Sequence, residues 1–404
     1  MPEAAAAPPP PPPAPPAAPP LGASALPPPL PPRPAISPNP SPAASRSTTG
    51  RGWKIATLIL ALVLAFSLLS NFAGLLLGLF AGGSGGPLGM EGRLQEITVE
   101  HNRSANKIAV IPIEGIITSS AADGGGYSLP HLVEDQLKLA GKDDSVKAVI
   151  LKVNSPGGEV LASDDIYAAI AQFQNEHKKP VVASMGSLAA SGGYYVSAPC
   201  RWIVANELSI TGSIGVIMHG YNYRGLMNKV GVRPLVFKSG RFKDMLSGEK
   251  DLDSLTPAEK EDLEEENGMV NKMINETFER FKKVVADGRK AAYNRNANNK
   301  DKEIGQGLSS NWAKLADGRV LSGKEAYDNG FVDELGNWRT AVKRAQKLAG
   351  IDKADLVTYQ VPFSLGNLLG LLGKSDAKSV KVDVGLDIPR LGAGFYYLAP
   401  AFLR

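Results

Sequence analysis

The sequence predicts an α/β fold, and two observations support this prediction. From Lys107 onward, short apolar runs of strand length alternate with stretches in which apolar residues have helical spacing. Strands separated by helices favour βαβ units with right-handed crossovers, so the sheet is expected to be largely parallel. The apolar runs are IAVIPI (108–113), AVILKV (148–153), VVASM (181–185), WIVA (202–205), IGVI (214–217) and PLVF (234–237).

A long amphipathic helix is predicted to follow these runs. Thr256 is a suitable helix cap, and Pro257 then occupies the first helical position, where a missing N–H costs nothing. A stretch rich in Glu, Lys and Asn continues to about Ala286, with apolar residues recurring on one side. A helix of this length suits either packing on a neighbouring subunit or a solvated surface position.

The N-terminal region is predicted to be a disordered cytoplasmic tail over residues 1–52. The chain has 404 residues and 31 prolines, and 20 of these prolines lie within the first 42 residues. Because this region has almost no aromatic or branched apolar residues, it cannot bury enough surface to offset the entropy of ordering. A solvated polyproline tether is the favoured interpretation, and a ligand for SH3-like grooves is the alternative.

A transmembrane helix is predicted over residues 53–81. The run IATLILALVLAFSLLSNFAGLLLGLF (55–80) carries no charge and is long enough to cross a bilayer. A cleaved signal peptide is the competing interpretation, although its apolar core would be only about 7–15 residues long. Basic residues precede the run and none follows it at once, so the N-terminus is expected in the cytoplasm.

This orientation gives a single-pass protein of the cell's inner (cytoplasmic) membrane with an extracytoplasmic catalytic domain. We expect a linker over 82–105, the catalytic domain over 106–353, and a C-terminal extension of unknown role over 354–404.

Composition argues against two classes of function. The net charge of +4 comes without a dense Lys/Arg cluster interleaved with aromatics, so no nucleic-acid partner is expected. The single cysteine, Cys200, excludes an internal disulfide and supplies no metal-ligand spacing, so no metal site is expected.

Three glycine-bearing turns follow strand-like runs: NSPGG (154–158), ASGG (190–193) and TGSIG (211–215). Functional groups gather at the carboxyl ends of strands in open α/β sheets, so the turns are expected to line one cleft. Ser191 stands where a helix can begin, and free backbone N–H groups there suit a developing oxyanion. Gly157 and Gly158 are candidates for a second donor, because glycine allows the backbone to approach a substrate closely.

A serine nucleophile needs a base, and the sequence offers two kinds. The four histidines have no local acidic partner that marks a triad, although triad members need not be adjacent in sequence. Lys243 is the other candidate; it must become neutral, which requires lowering the usual lysine pKa of about 10.4 by about three units in a dry site. The alternative is that Lys243 belongs to an ordinary solvated basic loop.

Five ordered motifs resemble signal peptide peptidase A, a membrane-bound Ser-Lys peptidase family with the ClpP/crotonase-like fold of repeated ββα units. The resemblance covers roughly residues 106–350. The motifs are VNSPGG (153–158), MGSLAASGGYYVSA (185–198), TGSIGVI (211–217), FKSGRFKD (237–244) and DGRVLSGKEAYDNGFVDELG (317–336).

The resemblance implies a role for each matched residue. Ser191 matches the nucleophile and Lys243 the general base, the backbones of Gly158 and Gly192 match the oxyanion donors, and Ser213 matches a residue that positions the lysine amine. It also implies a homo-oligomeric ring, remnant signal peptides and other apolar peptides as substrates, and no cofactor. Two rival functions remain open: a crotonase-like acyl-CoA hydratase or isomerase, and a non-catalytic membrane scaffold.

Overall fold

The computed structural model describes residues 58–67, 69, 94–120, 128–298, 303–361 and 396–398. The chain divides into two compact units, Met1–Ser84 and Gly85–Arg404.

The first unit contains helix α1, described over residues 58–67 and at 69, with exposed apolar side chains such as Phe66. Within the described ranges, no helix is both long and apolar enough to cross a membrane. The predicted tail, 1–52, and most of the predicted span, 53–81, lie outside those ranges.

The second unit is built of strands and helices in alternation, as the sequence predicts. The strands are β1 (Gln95–Glu100), β2 (Lys107–Glu114), β3 (Val146–Ser155), β4 (Gly157–Glu159), β5 (Val181–Ala190), β6 (Trp202–Ala205), β7 (Ile210–Gly212), β8 (Val320–Ser322), β9 (Glu334–Leu335), β10 (Asp355–Gln360) and β11 (Tyr396–Leu398). The helices are α2 (Leu129–Lys142), α3 (Val160–His177), α4 (Gly192–Ser197), α5 (Arg224–Lys229), α6 (Pro257–Ala297), α7 (Trp312–Leu315), α8 (Gly323–Asp328) and α9 (Trp338–Ala349).

The main sheet has nine strands, with the order β1-β10-β2-β3-β5-β6-β9 and with β7 paired to β5 and β8. The pairs from β10 across to β9 are parallel, whereas β1 with β10 and β7 with β8 are antiparallel. The predicted α/β class with a largely parallel sheet is therefore confirmed. Because β1 and β10 belong to this sheet, it extends beyond the limits 106–353 predicted for the catalytic domain.

Helices cover both faces of the sheet. Successive side chains of a strand point to opposite faces, so each strand contributes to the core on both sides. On β2, Ile108 and Val110 face one core, which includes Ala341 of α9. The intervening Ala109 and Ile111 face the other core, to which α2, α3, α4 and α6 contribute. Both faces of the central strands are thus buried, which explains why those strands read as continuous apolar runs.

Two predicted strands are absent from the described chain. IGVI (214–217) forms only a single bridge, between Ile217 and Tyr396. PLVF (234–237) is irregular, and its Leu235 and Phe237 side chains are 84% and 94% exposed. The apolar run at 234–237 has no neighbouring strand to pair with among the residues the structure describes. Apolar composition alone therefore does not make it a strand.

The predicted long helix is confirmed as α6, which begins with a capping box between Thr256 and Glu259 and extends beyond Ala286 to Ala297. Its C-terminal half is seated on the core. There Phe281 is fully buried, and Arg289 forms an ion pair with Asp333 in which both side chains are 1% exposed.

The N-terminal half of α6 contacts a different part of the chain. Arg241 pairs with Asp262, and Lys250 pairs with Glu266. These ion pairs attach the segment 238–250 to the half of α6 that lies away from the core.

Candidate active site

Ser191 stands at the junction between β5 and α4 in an unusual backbone conformation. Its φ is 54° and its ψ is −117°, so the residue lies in a region that non-glycine residues rarely adopt. A conformation of this kind costs about 1–3 kcal/mol and persists where the surroundings enforce it. The Ser191 N–H donates to the Gly212 carbonyl at 2.8 Å, which fixes the turn.

The Ser191 hydroxyl is buried without a partner. The residue is 1% exposed, and its Oγ makes no hydrogen bond to any described residue. An unsatisfied buried hydroxyl costs about 1–3 kcal/mol, so a folded protein rarely keeps one without a use. The unpaired oxygen and the strained backbone together mark Ser191 as a candidate nucleophile.

The glycines predicted to hold an oxyanion lie together beside this serine. Gly157 has a φ of +98°, which favours glycine, and it leads into Gly158. A Cβ atom on Gly158 would lie 1.8 Å from the Ile117 carbonyl oxygen, so no side chain fits there. A Cβ atom on Gly192 would lie 3.1 Å from the Gly158 nitrogen, which shows how closely the two backbones approach.

The TGSIG turn completes this cluster. Ser213 has a φ of 51° and is 7% exposed, and its N–H donates to the Arg319 carbonyl at 2.7 Å. The preceding Gly212 is the residue that accepts from the Ser191 N–H. The three glycine-bearing turns therefore do gather around Ser191.

Lys243 is not part of this cluster in the single chain. Its side chain is exposed, and its segment consists of turns. No described residue is a hydrogen-bond partner of the Ser191 Oγ, so Lys243 makes no hydrogen bond to it. All four histidines lie in the described chain, and none of them is a hydrogen-bond partner of the Ser191 Oγ either.

The sequence motifs assigned no role to the aromatic residues near Ser191, although Tyr194 and Tyr195 lie within one of the motifs. The Tyr195 hydroxyl of α4 donates to Asp164 at 2.5 Å, and burial raises the pKa of Tyr195. Its ring lies 4.9 Å from that of Phe281 and stacks at 4.7 Å on that of Tyr397. The available signal was the pair of tyrosines after Gly193 and the short aromatic run near the C-terminus.

The strand β11 belongs to the C-terminal extension, whose role the sequence left open. It pairs antiparallel with β4, so that Tyr397 is opposite Gly158 and Leu398 is opposite Gly157. The C-terminal extension therefore reaches the glycine turn of the candidate site.

Among the described residues, no group of three or more His, Cys, Asp or Glu side chains could hold a metal ion. Cys200 is buried, and burial raises the pKa of its thiol. The thiol is therefore kept in its protonated, unreactive form.

Comparison with known proteins identifies the family to which the chain belongs. The model of peptidase family S49 matches residues 173–352, and that of Clp protease matches residues 127–204. A protein of Enterococcus faecium described as signal peptide peptidase SppA is 34% identical over 66% of this chain and 71% of its own length. The chain belongs to peptidase family S49.

Other relatives of family S49 share the same region. A protein of Methanocaldococcus jannaschii described as a protease is 41% identical to this chain. The match covers 57% of this chain and 65% of the relative. Protease 4 of Haemophilus influenzae is 33% identical over 62% of this chain and 36% of its own length. The resemblance to signal peptide peptidase A is confirmed, as are the serine peptidase class and the ClpP-like α/β fold.

Proposed function

We propose that this protein is a membrane-anchored serine endopeptidase with Ser191 as nucleophile and Lys243 as general base. The proposal rests on Ser191, which lies beside the Gly158 and Gly192 backbones: its own backbone is strained, and its buried hydroxyl has no partner among the described residues. Apolar peptides, including remnant signal peptides, are the proposed substrates. The name of the Enterococcus faecium relative supports this substrate class.

The proposed chemistry needs only groups of the protein and water. The neutral Lys243 amine takes the proton of the Ser191 hydroxyl as the oxygen attacks a peptide carbonyl. The backbone N–H groups of Gly158 and Gly192 hold the oxyanion, with Ser213 positioning the amine. The lysine then protonates the leaving amine, and water hydrolyses the acyl-enzyme.

Assembly explains how the amine reaches the serine. Six residues before Lys243, the chain has three consecutive apolar residues that end at Phe237. Leu235, Val236 and Phe237 are 84%, 51% and 94% exposed, and we call them the 235–237 patch. Exposed apolar runs of this kind are typical of subunit interfaces. A second copy that covers the patch would also remove water from Lys243, and burial lowers the pKa of an amine. We therefore propose a homo-oligomeric ring in which Lys243 of one copy serves Ser191 of the next.

Complementation between two inactive variants tests this proposal. Ser191→Ala and Lys243→Ala are each expected to abolish hydrolysis of an apolar fluorogenic peptide, whereas Lys229→Ala, a lysine of α5, serves as the matched control. If the dyad forms between copies, subunits of the two variants unfolded and refolded together should recover about a quarter of the wild-type activity, the share of interfaces that pair both intact residues.

A mixture that stays inactive would place both residues of the dyad in one copy. Full activity of Lys243→Ala alone would exclude the lysine base. Turnover of an acyl-CoA by the wild type would favour the hydratase alternative, and peptide binding without any hydrolysis would favour the scaffold.

Membrane anchoring is proposed from the uncharged run 55–80 and from the exposed apolar side chains of α1. The N-terminus is proposed to face the cytoplasm, with the catalytic domain on the other side of the inner membrane. In inside-out membrane vesicles, added protease should remove an epitope at the N-terminus and leave the second unit intact. Cleavage of the second unit under those conditions would contradict this topology.

A further inference from the structure

A cavity lies on the face of the sheet that α9 covers. It is lined by residues of β3 and β5, by the chain after β6 and by the N-terminal end of α9. Its volume is about 330 Å³, which is enough for a small organic molecule. The candidate active site belongs to the other face, because α4, which begins after Ser191, packs into the other core. The cavity is therefore separate from the site of Ser191.

Ser184 of β5 is a buried polar residue that lines this cavity and lacks a partner. It is 6% exposed, and its side chain makes no hydrogen bond to any described residue. Because strand side chains alternate, Ser184 shares a face with Val182, which lies in the apolar core beneath α9. An apolar side chain would suit this position, since a buried hydroxyl without a partner is costly. Ser184 therefore points to a hydrogen-bonding group that a ligand supplies.

The N-terminal end of α9 favours an anion in the same cavity. Asn337 caps this helix and accepts from the Arg339 and Thr340 N–H groups. The N–H of Trp338, the first residue of the helix, has no acceptor among the described residues. The aligned peptide dipoles of the 12 helical residues add partial positive charge at this end.

The other lining residues indicate the kind of anion. Lys152 is the cation of the cavity, and none of the described residues that line it is acidic. The Lys152 amine lies 3.2 Å from Glu114 in a pair whose side chains are both 55% exposed, so the amine keeps donors for another acceptor. Leu208, which is 86% exposed, and Trp338 add apolar surface. One cation beside apolar surface suits a singly charged, apolar ligand.

We infer that this cavity binds an apolar monocarboxylate. The Ser184 hydroxyl, the Lys152 amine and the first N–H of α9 receive its carboxylate. Its apolar part lies against Leu208 and Trp338. The carboxyl end of an apolar peptide and a fatty acid share this chemistry. The inference is independent of the proposed function, because none of these groups takes part in the proposed chemistry of Ser191.

Calorimetric titration of the full chain in detergent provides the first test. N-acetylleucine is the probe, and N-acetylleucinamide is its neutral match. We expect saturable binding of the acid and at least about tenfold weaker binding of the amide, because hydrogen bonds to a charged group are the stronger ones. Hexanoate separates the two sources: tighter binding of hexanoate would assign the site to fatty acids, and tighter binding of N-acetylleucine would assign it to peptide ends. Equal affinities for acid and amide would overturn the inference.

Variants of the lining residues provide the second test. Ser184→Ala should weaken binding of the acid about tenfold and leave the melting temperature unchanged, because its hydroxyl has no partner among the described residues to lose. Lys152→Ala should weaken binding about threefold. Lys147→Ala, at an exposed lysine near the other end of β3, is the control and should bind as the wild type does.

The same titrations include the outcomes that contradict the site. Unchanged affinity in Ser184→Ala would overturn the inference. Loss of binding in Ser191→Ala would place the ligand in the candidate active site and would overturn it as well. No saturable binding of either acid up to about 10 mM would have the same meaning. None of these results bears on peptide hydrolysis, so the proposed function is tested separately.

Discussion

The segments that carry Ser191 and Lys243 differ in almost every structural respect. Ser191 is buried, and its backbone is held by Gly212 and by the glycine turn before β4. Lys243 is exposed in a segment of turns that is attached to α6 mainly by ion pairs of its neighbours. The buried candidate nucleophile is therefore held in place within one chain, whereas the proposed base is exposed to solvent in that chain.

The first way to sharpen this comparison is to truncate one phenylalanine in each region. Phe281→Ala should lower the free energy of unfolding by about 3–5 kcal/mol, because Phe281 is fully buried against Tyr195 and Tyr397. Phe237→Ala should change it by less than about 0.5 kcal/mol in the monomer, since its side chain is 94% exposed. Urea denaturation of diluted protein measures both values.

The same pair of variants also tests the 235–237 patch. Sedimentation velocity should show weaker association for Phe237→Ala than for the wild type. If Phe237→Ala is instead strongly destabilising as a monomer, this phenylalanine is packed within its own chain and the comparison fails.

Two serines at the two ends of α4, the N-cap Ser191 and the last residue Ser197, are expected to give smaller effects of opposite sign. Ser191→Ala should leave stability unchanged or raise it by up to about 1 kcal/mol, because it removes a buried hydroxyl that has no hydrogen-bond partner in the described part of the chain. Ser197→Ala should lower stability by about 1 kcal/mol, because the Ser197 hydroxyl donates to the Gly193 carbonyl at 2.8 Å. Thermal unfolding of the two variants compares them directly. A clear loss of stability in Ser191→Ala would show that its hydroxyl has a structural partner.

The smallest expected effect concerns the two carboxylates Glu159 and Asp244. Burial acts to raise the pKa of Glu159, but hydrogen bonds from Ser119 and Thr118 outweigh it and hold the pKa below the ordinary 4.5. The hydrogen bond from Lys238 likewise lowers the pKa of Asp244 below the ordinary 3.8. Each carboxylate therefore contributes stability above its ordinary pKa that is lost as the pH falls through the lowered value.

Salt distinguishes the two carboxylates. Glu159→Gln should cost about 1 kcal/mol at neutral pH regardless of ionic strength, because its donors are uncharged. Asp244→Asn should cost less than about 1 kcal/mol, and that cost should shrink at high salt because its partner is a partly exposed lysine. Urea denaturation at low and high ionic strength measures both. Equal salt dependence would mean that the two regions do not differ in solvation.

Sequence reasoning succeeded where local chemistry determines the structure. The alternation of apolar runs predicted the parallel sheet, and the cap at Thr256 predicted where α6 begins. The three glycine turns predicted the cluster at Ser191, because positions with positive φ or with close backbone contacts require glycine, and glycine is recognisable in the sequence.

Sequence reasoning failed where structure depends on partners distant in the chain. The apolar run at 234–237 looks like a strand but has no edge to pair with in the described chain. Conversely, β11 is three residues long, and its pairing with β4 could not be read from Tyr396–Leu398 alone. In the proposed ring, the approach of Lys243 to a serine depends on a second copy of the chain, so the sequence around Lys243 cannot predict it.

Helix α6 mechanically links the two regions compared above. Its 41 residues extend about 60 Å, and most of its buried side chains lie in the last 17 residues, from Phe281 onward. A helix that is packed along only part of its length bends most easily where the packed part begins. In α6 this point lies at Phe281, whose ring contacts that of Tyr397. We expect a displacement of the N-terminal end, where Asp262 and Glu266 hold the segment of Lys243, to reach the aromatic residues near Ser191 as a small tilt of the helix.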